Sequence, residues 1–135
     1  MFDEASFRDF ATRYTAAWCS QNAASVASFF AADGSLKINE GPPSVGHAAI
    51  TEAAQGFMTA FPDLRVMMDR LLIQDARRAV YHWTLTGKNI GPAGTGNFVQ
   101  VSGFEEWEIG ESDLIVRSTG QFDAADYSRQ LQGIA

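Results

Sequence analysis

The stretch NFVQVSGFEEWEI (Asn97–Ile109) is the longest part of the chain that reads as a single β-strand. Side chains on a strand alternate between two faces. One of the two sets here is almost entirely apolar: Val99, Val101, Gly103, Glu105, Trp107 and Ile109. This set should face the core, which places the Glu105 carboxyl among apolar neighbours. Such a carboxylate is either a functional group in a pocket or the result of a β-bulge that shifts the register.

Composition restricts the classes of protein to which the chain can belong. Its 135 residues, 46% hydrophobic and including ten Phe, predict one globular domain over residues 1–135. A net charge of −6 argues against nucleic acid and against anionic membrane surfaces as partners. The single Cys19 excludes an intramolecular disulfide and a cysteine-based zinc site. The polar start MFDEASFRDF predicts no signal peptide, and no apolar run approaches the ~20 residues of a membrane span, so a cytoplasmic protein is expected.

Helical periodicity dominates the first half of the chain. A first amphipathic helix, starting at Ser6, is predicted from apolar residues at three- and four-residue steps: Phe7, Phe10, Tyr14, Ala17 and Trp18. A second, shorter helix is capped by Asn22 and ends at Asp33-Gly34. A third buries Ile50, Ala53, Ala54, Phe57, Met58 and Phe61, and it must stop at Pro62. A last short helix begins with Asp123 as its cap and buries Tyr127 and Leu131.

Strand patterns dominate the second half. After a short strand at Ser35–Asn39, further strands are predicted at Leu64–Gln74, Arg78–Asn89 and Leu114–Phe122, on either side of the opening stretch. In the strand Leu64–Gln74 the alternation of apolar residues shifts near Met67 and Met68, which indicates a bulge or a strong bend. Helices come first and neighbouring strands with short turns come last. This order predicts an α+β fold with an antiparallel sheet and helices on one face.

Several local motifs, in this order of elements, resemble the SnoaL-like group of the NTF2-like superfamily. The resemblance covers residues 7–131 and rests on FFAADG, GHAAI, FPDL, AVYHWTLTG and the terminal D-x-x-x-x-x-x-Q-L. It implies a cystatin-like cone, in which a curved, mixed but mainly antiparallel sheet wraps a long N-terminal helix around an apolar pocket. Members of the family include polyketide cyclases, ketosteroid isomerases, epoxide hydrolases and non-catalytic binding proteins. Many of them form homodimers through the convex face of the sheet.

The cone geometry and the strand parity together suggest which residues surround the cavity. The set is aromatic with few polar groups, which is typical both of a small-molecule site and of an ordinary core. It comprises Tyr14, Trp18, Phe57, Phe61, Tyr81, Trp83, Glu105, Trp107, Thr119, Gln121 and Asp123. No residues suggest a cofactor, and the two isolated histidines, His47 and His82, are too few for a metal site.

Glu105, Asp123 and Tyr14 are the candidate catalytic residues. Apolar walls would raise the pKa of Glu105 by desolvation, which suits general acid–base catalysis near neutral pH. The resembling cyclases pair a polar residue on this strand with an Asp on the next strand. The next strand here offers Thr119 and Gln121, and the nearest acid, Asp123, has an equally good role as a helix cap.

The other activities of the resembling family fit less well. Tyr14 occupies a place similar to the tyrosine that donates to the oxyanion in ketosteroid isomerases. The position of their catalytic base falls at Ile38, with Glu40 close by. The epoxide hydrolases need an Asp–Arg–Asp set, but the adjacent Asp69 and Arg70 should point to opposite faces of their strand.

Two hypotheses follow. The chain is a cofactor-independent enzyme of the cyclase or isomerase type, which transfers protons on an apolar, carbonyl-bearing substrate. Alternatively, it is a non-catalytic binding or dimerisation module with the same cavity. The first requires a buried Glu105 that faces open space. Both include a homodimer, which the family habit implies and which the polar and β-branched face of Val80, His82, Thr84 and Thr86 would form.

Overall fold

A computed structural model describes residues 2–133 of the chain. Its ten elements are α1 (Glu4–Cys19), α2 (Ala23–Ala27), β1 (Phe30–Ile38), β2 (Ser44–Val45), α3 (His47–Ala60), β3 (Arg65–Asp75), β4 (Arg78–Lys88), β5 (Phe98–Ile109), β6 (Ile115–Phe122) and α4 (Ala124–Leu131).

The strands form one curved, mixed six-stranded sheet in the order β2-β1-β6-β5-β4-β3. Only β1 and β6 pair in parallel, and the helix α3 and four strands separate them along the chain. The long helix α1 packs against the sheet through six buried residues, Phe7, Phe10, Ala11, Tyr14, Ala17 and Trp18. We call the face of the sheet toward α1 the inner face. The predicted α+β class is confirmed.

The register of β5 is the one that its alternation predicts. β5 pairs with β4 without interruption from Arg78↔Glu108 to Lys88↔Phe98. Val99, Val101, Glu105, Trp107 and Ile109 are buried, while Gln100, Ser102 and Glu106 on the opposite face are exposed. A register shift occurs only at Glu108/Ile109, beyond the carboxylate. Glu105 therefore points inward in an unbroken ladder, and no bulge accounts for its place.

Two predicted helix boundaries are wrong. Asp3, not Ser6, caps α1, because the chain is already helical at Glu4 and Asp3 Oδ1 accepts a hydrogen bond from the Ser6 backbone N–H at 2.8 Å. The second helix ends at Ala27 rather than at Asp33-Gly34. Its expected last turn is the start of β1, where Phe30 pairs with Ile115 of β6.

The close approach of β1 to β6 explains this second difference. A Cβ on Gly34 would lie only 2.7 Å from the carbonyl oxygen of Ile115. A helical segment could not bring its backbone this close to a strand, so pairing with β6 overrides the local helical pattern.

Other predicted features are present. α3 ends at Ala60, two residues before Pro62. β3 shifts register between Met68 and Arg70, where the apolar phase of the sequence slips. Asp123 caps α4 by accepting a hydrogen bond from the Asp126 backbone N–H. Within residues 2–133, no helix is long and apolar enough to cross a membrane.

Candidate functional site

A cavity opens between the inner face of the sheet, the ends of α1 and α3, and α4. Its empty volume is about 620 Å³ including the open mouth. The lining is apolar and aromatic and contains one carboxyl group. It consists of Trp18, Leu36, Ile38, Phe57, Val66, Tyr81, Trp83, Leu85, Val101, Glu105, Gly120, Gln121, Phe122 and Tyr127.

Glu105 is buried beside this cavity, with 7% of its surface exposed. One of its carboxyl oxygens, Oε1, accepts three hydrogen bonds. The donors are the Ser118 hydroxyl at 2.7 Å, the Tyr14 hydroxyl at 2.9 Å and Trp107 Nε1 at 3.1 Å. Three different elements, β6, α1 and β5, therefore fix the orientation of the carboxyl group.

The second oxygen, Oε2, is left for the cavity. Within the described residues Oε2 has no hydrogen-bond partner. Every side-chain oxygen that is inaccessible to solvent in these residues does have a partner, so Oε2 is accessible. Because Glu105 is also part of the cavity lining, Oε2 is the atom through which it meets the open space. When protonated, Oε2 would donate a hydrogen bond to a ligand, and when ionised it would be available to accept a proton from the ligand.

Burial controls the ionisation of this group. Desolvation raises the pKa of Glu105 above its ordinary value, and the hydrogen bonds from Ser118, Trp107 and Tyr14 offset part of that rise. Burial also raises the pKa of Tyr14 well above its ordinary value, and the neighbouring Glu105 charge adds to the effect. Tyr14 thus remains a neutral donor while Glu105 is the group that titrates.

Among residues 2–133 the lining offers Glu105 no counter-charge, since it contains no Lys, Arg or His. Ionised Glu105 is stabilised only by neutral donors on Oε1. A ligand that carries a carboxylate or phosphate would enter beside an unpaired negative group, which costs free energy in a site of low dielectric. The arrangement therefore favours uncharged or cationic ligands.

Aromatic rings hold the wall behind the carboxylate in place. Tyr81 stacks on Trp107 with ring centroids 4.8 Å apart, and Tyr14 meets both rings edge to face at 5.5 and 5.1 Å. The Tyr81 hydroxyl is hydrogen-bonded to Thr15 on α1. Such offset and edge-to-face packing restricts ring motion, and with it the motion of Glu105.

Five residues predicted to bind a ligand, in addition to Glu105, are part of the lining: Trp18, Phe57, Tyr81, Trp83 and Gln121. Gln121 is exposed, and because it pairs with Phe104 its side chain lies on the other face of the sheet, so it borders the cavity through its backbone. Two other aromatic candidates lie behind the lining in the core. Phe61 is fully buried against Gly87 and Tyr127. Trp107 is 2% exposed and supports Glu105 rather than facing the cavity.

The orientation predicted for β6 is wrong by one residue. Directly paired residues in an antiparallel ladder share a face, and Glu105 pairs with Gly120 while Trp107 pairs with Ser118. Ser118 and Gly120 therefore point inward, whereas Thr119, opposite Glu106, points outward. Asp123 lies beyond the strand, is exposed and caps α4. Tyr14 is within reach of Glu105 but does not itself line the cavity.

The sequence does not predict Ser118 as a partner of Glu105. Nor does the predicted cavity set include eight of the lining residues: Leu36, Ile38, Val66, Leu85, Val101, Gly120, Phe122 and Tyr127. The signal that could have found Ser118 and Gly120 is the pairing register across the turn after Ile109. The shift at Glu108/Ile109 conceals that register, because small and polar residues in β6 give no clear hydrophobic alternation.

Replacing Ser118 with alanine should raise the pKa of Glu105 further. The substitution removes the closest donor on Oε1 while both forms of the carboxyl stay buried. We expect the free energy of unfolding to fall by about 1 kcal/mol at neutral pH. The pKa can be followed through the Glu105 Cδ resonance in a carbon-13 NMR titration. Thr119→Ala, on the outward side of the same strand, is the matched control and should leave the pKa unchanged; a Ser118→Ala variant that titrates like the parent chain would contradict the assignment.

Metal-binding residues do not converge in the described part of the chain. No group of three or more His, Cys, Asp or Glu side chains is placed to hold an ion between residues 2 and 133. The two histidines have separate surroundings. His47 Nε2 is hydrogen-bonded to the Phe30 carbonyl oxygen at 2.7 Å, and His82 lies on the other face of the sheet against Phe104.

Comparison with known families identifies the architecture. The profile of a family described as SnoaL-like polyketide cyclase matches residues 8–131. No curated protein sequence matches the chain at a significant level.

Solved structures with this architecture share little sequence with the chain. TsrD from Streptomyces laurentii has a TM-score of 0.84 and 19% identity, covering 99% of this chain and 100% of its own. A protein of ketosteroid isomerase-like fold from Catenulispora acidiphila has a TM-score of 0.81 and 16% identity, covering 94% of each chain. SalBIII, an epoxide hydrolase/cyclase-like enzyme, has a TM-score of 0.79 and 15% identity, covering 93% of this chain and 97% of its own. At such identities the likeness shows the fold.

Proposed function

Because the chain belongs to the SnoaL-like polyketide cyclase family, we propose that it is a cofactor-independent enzyme of the cyclase or isomerase type. It moves protons on an apolar, carbonyl-bearing small molecule bound in the cavity. The observation that carries this proposal is the state of Glu105, whose Oε1 accepts three hydrogen bonds while Oε2 is left to the open space.

The proposed first step is enolisation. Ionised Oε2 accepts a proton from the carbon next to the substrate carbonyl: the C–H bond breaks, an O–H bond forms on Glu105, and the electron pair moves to the carbonyl oxygen. An isomerase returns the proton to another carbon. In a cyclase the enolate carbon attacks a second carbonyl, and the resulting alkoxide takes the proton back from Oε2. Only protons and electron pairs within the substrate move, so the step needs no redox partner.

Ser118, Tyr14 and Trp107 act in this scheme as positioning residues. Their hydrogen bonds keep Oε1 turned away from the substrate and stabilise the carboxylate each time it forms. The substrate oxygen requires a separate donor. The Tyr127 hydroxyl is a lining group that can serve this role, because the Tyr81 hydroxyl is already bonded to Thr15.

The raised pKa of Glu105 also supports this function. A carboxylate whose pKa is raised is a stronger base and removes a proton from carbon more readily than an ordinary carboxylate does, and acid–base catalysts work best with pKa values close to the operating pH. The structurally similar SalBIII has a role in pyran ring formation in the polyether salinomycin, which is consistent with a cyclase role for this architecture.

Deuterium exchange tests the proposal without knowledge of the natural substrate. 2-Tetralone is uncharged, bicyclic and carries an acidic CH₂ between its carbonyl and aromatic ring. In D₂O the protein should accelerate the incorporation of deuterium at this carbon, followed by proton NMR. If 2-tetralone quenches the fluorescence of the chain by binding, yet exchanges no faster than in buffer, the chain is a binding protein and the enzyme proposal fails.

We further propose that two copies of the chain pair through the outer face of the sheet, defined by Val80, His82, Thr84 and Thr86. Apolar side chains on β3 extend this face. Met67 pairs with Thr84 and Leu72 with Val80, so both point outward, and they are 45% and 43% exposed. Large side chains left half-exposed on one sheet face are typical of a surface that is covered in an oligomer.

Sedimentation velocity should show a dimer at micromolar concentration. Leu72→Glu should shift the population to monomer, because it places a charge within the apolar part of the outer face. Val45→Glu is the control: Val45 is 60% exposed but lies on the edge strand β2, so its replacement should leave the dimer intact. A parent chain that sediments as a monomer would rule out this interface.

A further inference from the structure

One row of inward-facing residues crosses the centre of the sheet, and it has a gap beside Glu105. The pairing places Ile38 of β1 next to Gly120 of β6, Gly120 next to Glu105, and Glu105 next to Tyr81 of β4. All four residues line the cavity. Gly120 alone contributes no side chain, so the space above it lies against the side chain of Glu105.

Gly103, another inward-facing glycine near the site, provides a comparison, because the space beside it is already occupied. A Cβ on Gly103 would lie 2.3 Å from the Gln121 carbonyl oxygen and 2.7 Å from Cζ2 of Trp83. The Trp83 ring and the neighbouring backbone already occupy this position. Glycine at 103 is therefore required for packing.

No comparable contact surrounds Gly120. A Cβ there would be 3.5 Å from Glu105 Cγ and 3.5 Å from the Lys37 and Phe104 carbonyl oxygens, which is ordinary van der Waals distance. Its backbone is also outside the left-handed region that favours glycine. Neither packing nor conformation excludes alanine at 120, so the glycine leaves room for a methyl group next to the side chain of Glu105, the one acidic residue among the described lining residues.

We infer that Gly120 is a specificity-determining residue: the slot above it admits the edge of a ring to Glu105 Oε2. The substrates it selects carry the reacting carbon within a fused ring, whereas an open-chain ketone does not need the slot. This inference rests on the proposed function, because it assigns the slot to the substrate of Glu105. A side chain at 120 would fill the slot and discriminate against fused rings in proportion to its size.

Two ketones with the same reacting group measure this selectivity. 2-Tetralone and phenylacetone both carry a CH₂ between an aromatic ring and a carbonyl, but only in 2-tetralone is that carbon part of a fused ring. The quantity of interest is the ratio of their kcat/KM values for deuterium exchange. Relative to the parent chain, Gly120→Ala should lower the ratio several-fold and Gly120→Val by at least tenfold. Thr119→Val, on the outward face of the same strand, is the matched control and should leave the ratio unchanged.

The results separate this inference from the proposed function. If a folded Gly120→Val variant keeps the parental ratio, Gly120 does not select substrates, although Glu105 can still be the catalytic group. If Glu105→Gln exchanges both ketones as fast as the parent chain, the proposed function fails and the inference fails with it.

A measurement without substrate gives an independent test of the slot. Valine at 120 should displace solvent from beside Oε2 and so raise the pKa of Glu105, followed through its Cδ resonance. An unchanged pKa in Gly120→Val would show that the slot does not adjoin the carboxyl group and would overturn the inference. Gly120→Val should also remain folded, whereas Gly103→Ala should have a lower melting temperature because its Cβ has no room.

Discussion

Replacing Glu105 with glutamine should slow deuterium exchange into 2-tetralone by roughly 10²- to 10⁴-fold, the usual contribution of a general acid–base group. Glutamine has nearly the shape of glutamate, and its amide oxygen can accept the hydrogen bonds of Ser118, Tyr14 and Trp107. The atom that replaces Oε2 is then an amide nitrogen, which cannot take up a proton. The variant should therefore bind the ketone but not enolise it.

Glu106→Gln is the matched control for this measurement. Glu106 is the next residue on β5 but is exposed on the opposite face, so its replacement should leave the rate unchanged. If Glu105→Gln retained the parental rate while still binding 2-tetralone, the base would have to be another group.

The pH dependence of the exchange provides a second signature. The base must be ionised, so the rate should rise with pH through the pKa of Glu105 in the folded chain, which burial places above the ordinary value for a glutamate. Ser118→Ala should move this inflection to higher pH. An inflection at or below the ordinary pKa would contradict a buried base.

The sequence predicts the position of Glu105 well for a physical reason. One face of β5 is so consistently apolar that a shift of one residue would expose Val99, Val101 and Trp107 together. That cost fixes the register, and with it the inward direction of the carboxyl. The α+β class follows from a similar regularity, since helical periods dominate the first half of the chain and strand periods the second.

The sequence predicts β6 poorly because the inner face of the strand carries only small residues between Ile115 and Phe122. The inward residues Ser118 and Gly120 are small, while Thr119 between them resembles a strand residue of either face. A local pattern cannot show that a serine is the partner of a carboxylate thirteen residues earlier; that relation exists only once the strands are paired. Likewise, the sequence pattern does not distinguish an aromatic residue that lines the cavity from one that packs behind the lining, such as Trp107 or Phe61.

The same substitution, Glu105→Gln, should make the folded chain more stable above mildly acidic pH. Burial raises the pKa of Glu105, so the folded chain holds this proton over a range in which the unfolded chain releases it. Below the pKa of the unfolded chain, near 4.5, the group is neutral in both states. As the pH rises through the folded pKa, this contribution to stability is lost. The loss is about 1.4 kcal/mol for each unit by which the folded pKa exceeds the unfolded one.

Urea unfolding of the parent chain and of Glu105→Gln between pH 4 and pH 8 measures this loss directly. The two free energies of unfolding should be similar at the acidic end. Their difference should then grow in favour of the variant and become constant above the folded pKa. Glu106→Gln should show no such growth, because that carboxylate is exposed. A difference that stays flat with pH, or favours the parent chain, would mean that Glu105 is not destabilised by its surroundings. A chain that gains stability and loses exchange activity by the same substitution keeps a costly buried carboxylate because its chemistry requires one.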